Sequence, residues 1–288
     1  MQRKLVSFDW AMKKILRQKA NFVILEGFLS ELLKFDLKIE EILESEANQE
    51  NEDDKFNRVD LLAKNEDGDL ILIEVQYDGQ QDYFHRMLYG ASKLICDYMD
   101  KSNEYAKVKK VYSVNIVYFA LAKGSDYLYY GKTQFEGLNQ ENEIFELSTH
   151  QQKQFGKKEV YQIFPEYYVI RVNKFSDIVR NKIDEWIYFL KNESIKDEFK
   201  AKGLDEAKEI LDVMKLSSKA RVIYDRKIEN QRYKKSLLSS ARMEGEIRGE
   251  IKSKIEIVKN ALKQNIDIKT ISLITSLTVD EIEKIKEE

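Results

Sequence analysis

The run Arg58-Val-Asp-Leu-Leu-Ala63 is followed by a polar stretch, Asn65-Glu-Asp-Gly-Asp69, and then by Leu70-Ile-Leu-Ile-Glu-Val-Gln76. Two alternating apolar runs around a glycine-containing turn read as a β-hairpin. With a five-residue loop over 65–69, Asp60 pairs with Glu74, Leu62 with Leu72, and Arg58 with Gln76 on one face. The other face carries Val59 with Val75, Leu61 with Ile73, and Ala63 with Ile71, an apolar set suited to a core. A two-residue Asp67-Gly68 turn would instead oppose Asp60 to Val75 and send Glu74 to the other face, because side chains alternate with period two.

In the first register two carboxylates face each other among hydrophobic neighbours. Like charges directly opposite on a sheet are destabilising, and a shared desolvated site raises one of the two pKa values. A divalent cation between them removes both penalties, activates water and stabilises charge developing on a phosphate. Gln76, two residues on, shares that face and is placed to orient a nucleophilic water or a phosphate oxygen. It is neutral, so it supplies no positive charge. The competing reading is a pair of solvent-facing acids on an exposed sheet.

Outward from the hairpin, residues 8–35 show helical spacing, with Phe22, Leu25, Phe28, Leu29 and Leu32 on one side. A charged stretch fills 36–57. Residues 81–99 return to helical spacing, with Phe84, Leu88, Ala91 and Ile95 predicted as the buried face. Val111–Ala120 reads as a strand rich in β-branched and aromatic residues. Tyr127–Tyr130 and Glu166–Val172 follow as further strands. Helices resume near Asp177, and from about 191 the pattern is purely helical. The order predicts an α/β or α+β domain over 1–190 and a helical C-terminal region over 191–288, suited to DNA binding or oligomerisation. Thr278 with Glu281 forms a capping-box signature near the end.

Composition narrows the chemistry. Of 288 residues, 43% are apolar, enough for a sizeable core, and there is one proline. The single cysteine, Cys96, cannot make an intrachain disulfide, and two histidines with one cysteine are too few for a nitrogen–sulfur zinc site. No glycine-rich phosphate loop is present, so no nucleotide cofactor is expected. Any bound metal must take oxygen ligands, which favours Mg²⁺ or Mn²⁺. With no signal-peptide pattern and no apolar run of membrane-spanning length, the expectation is a cytoplasmic protein without membrane contact. Residues 215–263 hold 14 Lys and Arg against 6 Asp and Glu, a local +8, so the rest of the chain carries −11 of the net −3. That asymmetry suits a polyanion partner, although a solvated helix face explains it as well.

Asp60 followed by Glu74-x-Gln76 resembles the PD-(D/E)XK nuclease superfamily, and more closely its Rpn family of recombination-promoting nucleases, often called transposases. Phe8-Asp-Trp-Ala-Met-Lys-Lys-Ile-Leu16, Val59-Asp-Leu-Leu-Ala63, Ile73-Glu-Val-Gln76, Arg86-Met-Leu-Tyr-Gly-Ala-Ser-Lys-Leu94 and Ile163–Phe175 carry the likeness. It implies a restriction-endonuclease-like core, a central mixed sheet flanked by helices. It also implies a Mg²⁺-dependent DNA endonuclease linked to recombination or transposition. Asp60 and Glu74 would be the metal-binding acids, with the Val75 carbonyl as a further ligand. Gln76 stands where the superfamily usually has lysine; Arg86 or Lys93, seven apart on one helix face, would replace its charge and contact DNA. Glu26, a lone acid in an apolar helical run, would be the acid on the first core helix. The alternative is a decayed nuclease fold that binds DNA or protein without cutting.

Overall fold

The computed structural model describes residues 5–43, 60–99, 104–140 and 143–287. Two compact units divide the chain, Met1–Ser217 and Ser218–Glu288.

The first unit is built on a mixed six-stranded sheet. Its strands are β1 (Ile39–Leu43), β2 (Leu61–Asn65), β3 (Leu70–Gln76), β4 (Val111–Val117), β5 (Leu128–Gly131) and β6 (Glu166–Arg171), in the spatial order β1-β2-β3-β4-β6-β5. β3, β4 and β6 run parallel, and the remaining pairings are antiparallel. The hairpin takes the five-residue loop: Leu61 pairs with Ile73, Leu62 with Leu72, Ala63 with Ile71 and Lys64 with Leu70. The turn is closed by the Asn65 side chain, whose Oδ1 accepts from the Asp69 amide at 2.7 Å, and by Gly68 at φ 79°. A left-handed backbone there is what glycine supplies without strain. Arg58 and Val59, and with them two of the expected cross-strand pairs, lie outside the described residues.

Helix α3 (Tyr83–Asp97) covers one face of the sheet. It packs Ala91 and Leu94 on Leu62, Leu70, Leu72 and Val111, and Tyr83 and Met87 on Val117 and Val169. The predicted buried face of this helix is corrected by about one residue: Phe84 and Leu88 are exposed, and Tyr83, Met87, Ala91 and Leu94 are buried. The other sheet face, with Leu61, Ala63, Ile71, Ile73, Val114 and Ile116, is fully buried too. Both faces are therefore core, as expected where parallel strands are sandwiched between helices.

Residues 8–35 form two helices, α1 (Phe8–Lys14) and α2 (Phe22–Leu33). Asn21 interrupts them, its side-chain amide donating to the Ile15 carbonyl at 2.9 Å; local bonds of this kind compete with helix continuation. α4 (Thr149–Phe155) starts at a Ser148 capping box. Phe8, Phe28 and, from α5 (Lys182–Asn192), Trp186 and Phe189 interlock edge to face at 5.3–6.3 Å. Residues 191–217, assigned from sequence to the helical region, belong to the first unit. They include α6 (Leu204–Ile210), whose Leu204 and Ala207 are buried, and Lys202, whose carbonyl accepts from Trp186 Nε1 at 3.2 Å.

α2 and the start of α6 approach backbone to backbone at a glycine pair. A Cβ on Gly27 would collide with the Lys202 carbonyl and come within 2.9 Å of the Gly203 Cα; Gly203 itself sits at φ 82°. Gly27→Ala should therefore cost about 1–3 kcal/mol despite alanine's better helix propensity. Urea unfolding checks this, and an unchanged midpoint would contradict the close approach.

The second unit contains a 46-residue helix, α7 (Ser218–Lys263), then α8 (Ile268–Thr275) and α9 (Val279–Glu287). The short helices fold onto the end of α7 around Val258, Ala261, Ile271 and Ile282. The predicted capping box is formed: Thr278 N donates to Glu281 Oε2 at 2.8 Å, and Glu281 N to Thr278 Oγ1 at 3.3 Å. No helix of the described residues is long and apolar enough to cross a membrane.

Candidate active site

The observed register, continued by one residue, sets Asp60 against Glu74. Asp60 immediately precedes β2 and closes the ladder with its side chain: Oδ2 accepts the Val75 amide at 2.7 Å. The N–H and C=O of one strand residue point to the same side, so the Val75 carbonyl also faces the Asp60 edge. The other carboxylate oxygen, Oδ1, lies 2.8 Å from Nζ of Lys13, on α1. Lys13 bridges to Asp9, one helical turn earlier, at 2.9 Å. Burial pulls the Lys13 pKa down, but the carboxylates of Asp9 and Asp60 outweigh it and the net shift is upward. Arg17 adds a hydrogen bond from Nη2 to the Asp60 carbonyl at 3.2 Å.

Glu74 is buried, at 6% exposure, beneath α3. Arg86 reaches it loosely, Nη2 to Oε1 and Nε to Oε2 both at 3.4 Å. The second contact is a charge contact without hydrogen-bond alignment, so Glu74 Oε2 and Arg86 Nε are both buried without a hydrogen-bond partner. Burial raises the Glu74 pKa and the nearby Asp60 charge adds to this; Arg86, with a smaller contribution from the Tyr83 hydroxyl, only partly offsets it. Beside Glu74 in the parallel ladder stands Asn115 of β4, whose Oδ1 accepts from the Tyr83 hydroxyl at 3.2 Å. Its Nδ2 donates to Ser113 Oγ at 2.9 Å. The acid pair therefore ends a buried polar stripe that enters from β4 and α3.

Gln76 lies on the same face, half-buried at the mouth of this stripe, its side-chain amide donating to the Asp78 carbonyl at 3.4 Å. The site thus occupies the carboxyl end of β3, where open α/β sheets bind ligands. Lys93 is two turns further along α3, about 10 Å from Arg86, and is not brought to the acids. Glu26 is not brought there either. Its Oε1 accepts from the Ile39 amide at 2.9 Å and its Oε2 meets Lys38 Nζ at 3.1 Å. Ile39 pairs with Asn65, at the turn end of the hairpin, a strand length of about 17 Å from Asp60. The partner that a lone acid in an apolar helix requires is the start of β1.

Asn115, Tyr83 and Lys13 entered no sequence-based site. Ser113 and Asn115 in an otherwise apolar strand were a readable signal, since buried polar side chains need partners. The Lys13–Asp60 contact spans 47 positions and leaves no local trace.

Among the described residues no three His, Cys, Asp or Glu side chains gather into one cluster. Two carboxylates with a main-chain carbonyl nonetheless suit a hard cation that keeps several waters, as Mg²⁺ does. The unbonded, buried Glu74 Oε2 is an acceptor that such an ion would satisfy.

The family model of PD-(D/E)XK nuclease family transposases matches residues 6–241. The chain belongs to this family. The sheet flanked by helices is the α/β fold expected of it, and a nuclease-like function comes with membership. PD-(D/E)XK nucleases generally use divalent metal ions. No curated protein and no solved structure matches the chain significantly.

Proposed function

We propose that this protein is a divalent-metal-dependent DNA endonuclease that hydrolyses phosphodiester bonds in the service of recombination or transposition. The observation that carries the reading is the hairpin register, which opposes Asp60 to a buried Glu74 whose Oε2 has no hydrogen bond. Asp60, Glu74 and the Val75 carbonyl would hold Mg²⁺ or Mn²⁺. When bound, the ion supplies Lewis-acid charge to the phosphate and lowers the pKa of water. Gln76 orients the attacking water, whose oxygen bonds to phosphorus as the bond from phosphorus to a sugar oxygen breaks. One water proton passes to solvent and the departing oxygen takes one up. Arg86 steadies Glu74, Lys93 contacts phosphate further along the duplex, and Glu26 serves the fold. The C-terminal helices, with Leu237, Leu238, Ile247 and Ile251 exposed on α7, serve self-association or hold DNA.

The decayed-fold alternative draws on Gln76 and on the cation that already sits against each acid. Plasmid nicking with Mn²⁺ decides between them. Wild type should cut and Asp60→Ala should lose on the order of 10³-fold; equal rates for both would remove Asp60 from the site, and an inert wild type that binds DNA would favour the alternative.

A further inference from the structure

We infer that Lys13 is the catalytic cation of this site, contacting the scissile phosphate in the role that neutral Gln76 cannot fill. The inference rests on the nuclease reading above and names the residue that reading lacks.

Two cations touch the acid pair, and their surroundings differ. The Arg86 side chain is 25% exposed and directs its guanidinium at Glu74 from α3, with Nη1 held by Gln80 Oε1 at 3.4 Å. A guanidinium so placed neutralises a buried carboxylate and has little freedom to leave it. The Lys13 side chain is 45% exposed, against 16% for the Asp60 side chain it meets, and ends on a compact ammonium with a flexible four-carbon stem. It therefore stands where a polyanion approaching the pair meets positive charge first.

Its tethering suits a group that changes partner. Lys13 shares its ammonium between Asp60 at 2.8 Å and Asp9 at 2.9 Å. A divalent ion held by Asp60 would compete with the ammonium for Oδ1 and repel it. Asp9, 4% exposed and fixed one turn earlier on the same helix, keeps it beside the site. The freed hydrogen-bonding capacity then faces the phosphate, the only new anion present. Lys13 itself neither gives nor takes a proton; the ammonium stabilises charge on the non-bridging oxygens as the water–phosphorus bond forms and the phosphorus–sugar bond breaks. Arg17, one turn on from Lys13, adds positive charge at the same edge through its bond to the Asp60 carbonyl.

The test uses the full chain, Mn²⁺ and a plasmid substrate, with Mn²⁺ affinity measured separately by electron paramagnetic resonance. Lys13→Met should cut at least about 100-fold more slowly than wild type at saturating Mn²⁺. Its Mn²⁺ affinity should be unchanged or tighter, because a competing cation has left Asp60. Lys13→Met/Gln76→Lys, which places an ammonium on β3 two residues beyond Glu74, should recover at least about tenfold of the loss. Lys13→Arg should retain the fold, by circular dichroism, and cut faster than Lys13→Met. Lys13→Met activity within about threefold of wild type overturns the inference. So does loss of Mn²⁺ binding in Lys13→Met, which would make Lys13 a support for Asp60 alone. A wild type that does not cut defeats the nuclease reading and this inference together, whereas an active wild type with an equally active Lys13→Met defeats only the inference.

Discussion

Glu74→Gln is expected to lose Mn²⁺ binding and to cut DNA on the order of 10³-fold more slowly, while unfolding at close to the wild-type midpoint. The substitution keeps the side chain's shape and its fit under α3 but removes the charge a divalent ion needs. Two opposing effects act on stability. A buried carboxylate opposite Asp60 is relieved of its desolvation and repulsion, and Arg86 loses its anionic partner. With contacts of 3.4 Å on one side and 6% exposure on the other, these nearly cancel, to within about 1 kcal/mol. Calorimetric titration with Mn²⁺ and urea unfolding separate the two consequences. Retained Mn²⁺ affinity would remove Glu74 from the site; a collapsed midpoint would make its role structural.

The same carboxylate gives the site a pH dependence with a definite sign. Its pKa is raised by burial, so between the ordinary glutamate value and the raised one the folded protein binds more protons than the unfolded chain. Its contribution to stability therefore falls as pH rises through that window, and the full cost of the buried charge is present above it. Metal binding needs the carboxylate form, so Mn²⁺ affinity should climb across the same window. Glu74→Gln should flatten this component of the stability profile.

The hairpin was legible because each local feature agreed. Gly68 and the polar loop permit one tight turn, and the alternation of Leu61, Ala63, Ile71 and Ile73 makes a one-residue slip expensive on both faces. β1 escaped detection because Ile39-Glu-Glu-Ile-Leu43 is an edge strand, and charge on an edge strand is tolerated and protective. α3 was read one residue out of phase for a related reason. Tyr83 counts as half-polar in a periodicity, yet here its ring is buried and its hydroxyl ends on Asn115 in the polar stripe. The helix therefore turns Tyr83 and Met87 inward and leaves Phe84 and Leu88 outside.

The acid pair itself was legible, but the groups surrounding it were not. Asp60 and Glu74 lie on adjacent strands, where counting from a turn suffices. Lys13, Asn115 and Glu26 owe their positions to packing between α1, α2, β1 and β4, which no local spacing encodes. Glu26 shows the consequence: a lone acid in an apolar run correctly predicts a buried partner but not which one. Its partner proved to be the Ile39 amide, at the opposite end of the hairpin.

Lys110→Met is expected to be the most destabilising single change, at about 3–5 kcal/mol and on the order of 10 °C in melting temperature. Lys110 precedes β4 and Glu166 opens β6, so their pair sits at the amino ends of the parallel strands, away from the acid site. The Lys110 side chain is 3% exposed and the Glu166 side chain 8%, with 2.7 Å between Nζ and Oε1. The ammonium also donates to the carbonyls of Tyr161 and Phe164, and Glu166 Oε2 accepts from the hydroxyls of Tyr130 at 2.7 Å and Tyr168 at 3.3 Å. Burial pulls the Lys110 pKa down even so, and Glu166 only partly restores it. Methionine fills the space but strands a buried carboxylate and two carbonyls, and stranding one partner costs more than the pair contributes. Lys110→Met/Glu166→Gln should therefore recover part of the loss, because the second substitution removes the uncompensated charge. Denaturant unfolding of the three proteins tests this. A single substitution costing under about 1 kcal/mol would show that water reaches the pair, and it would then count as a surface salt bridge.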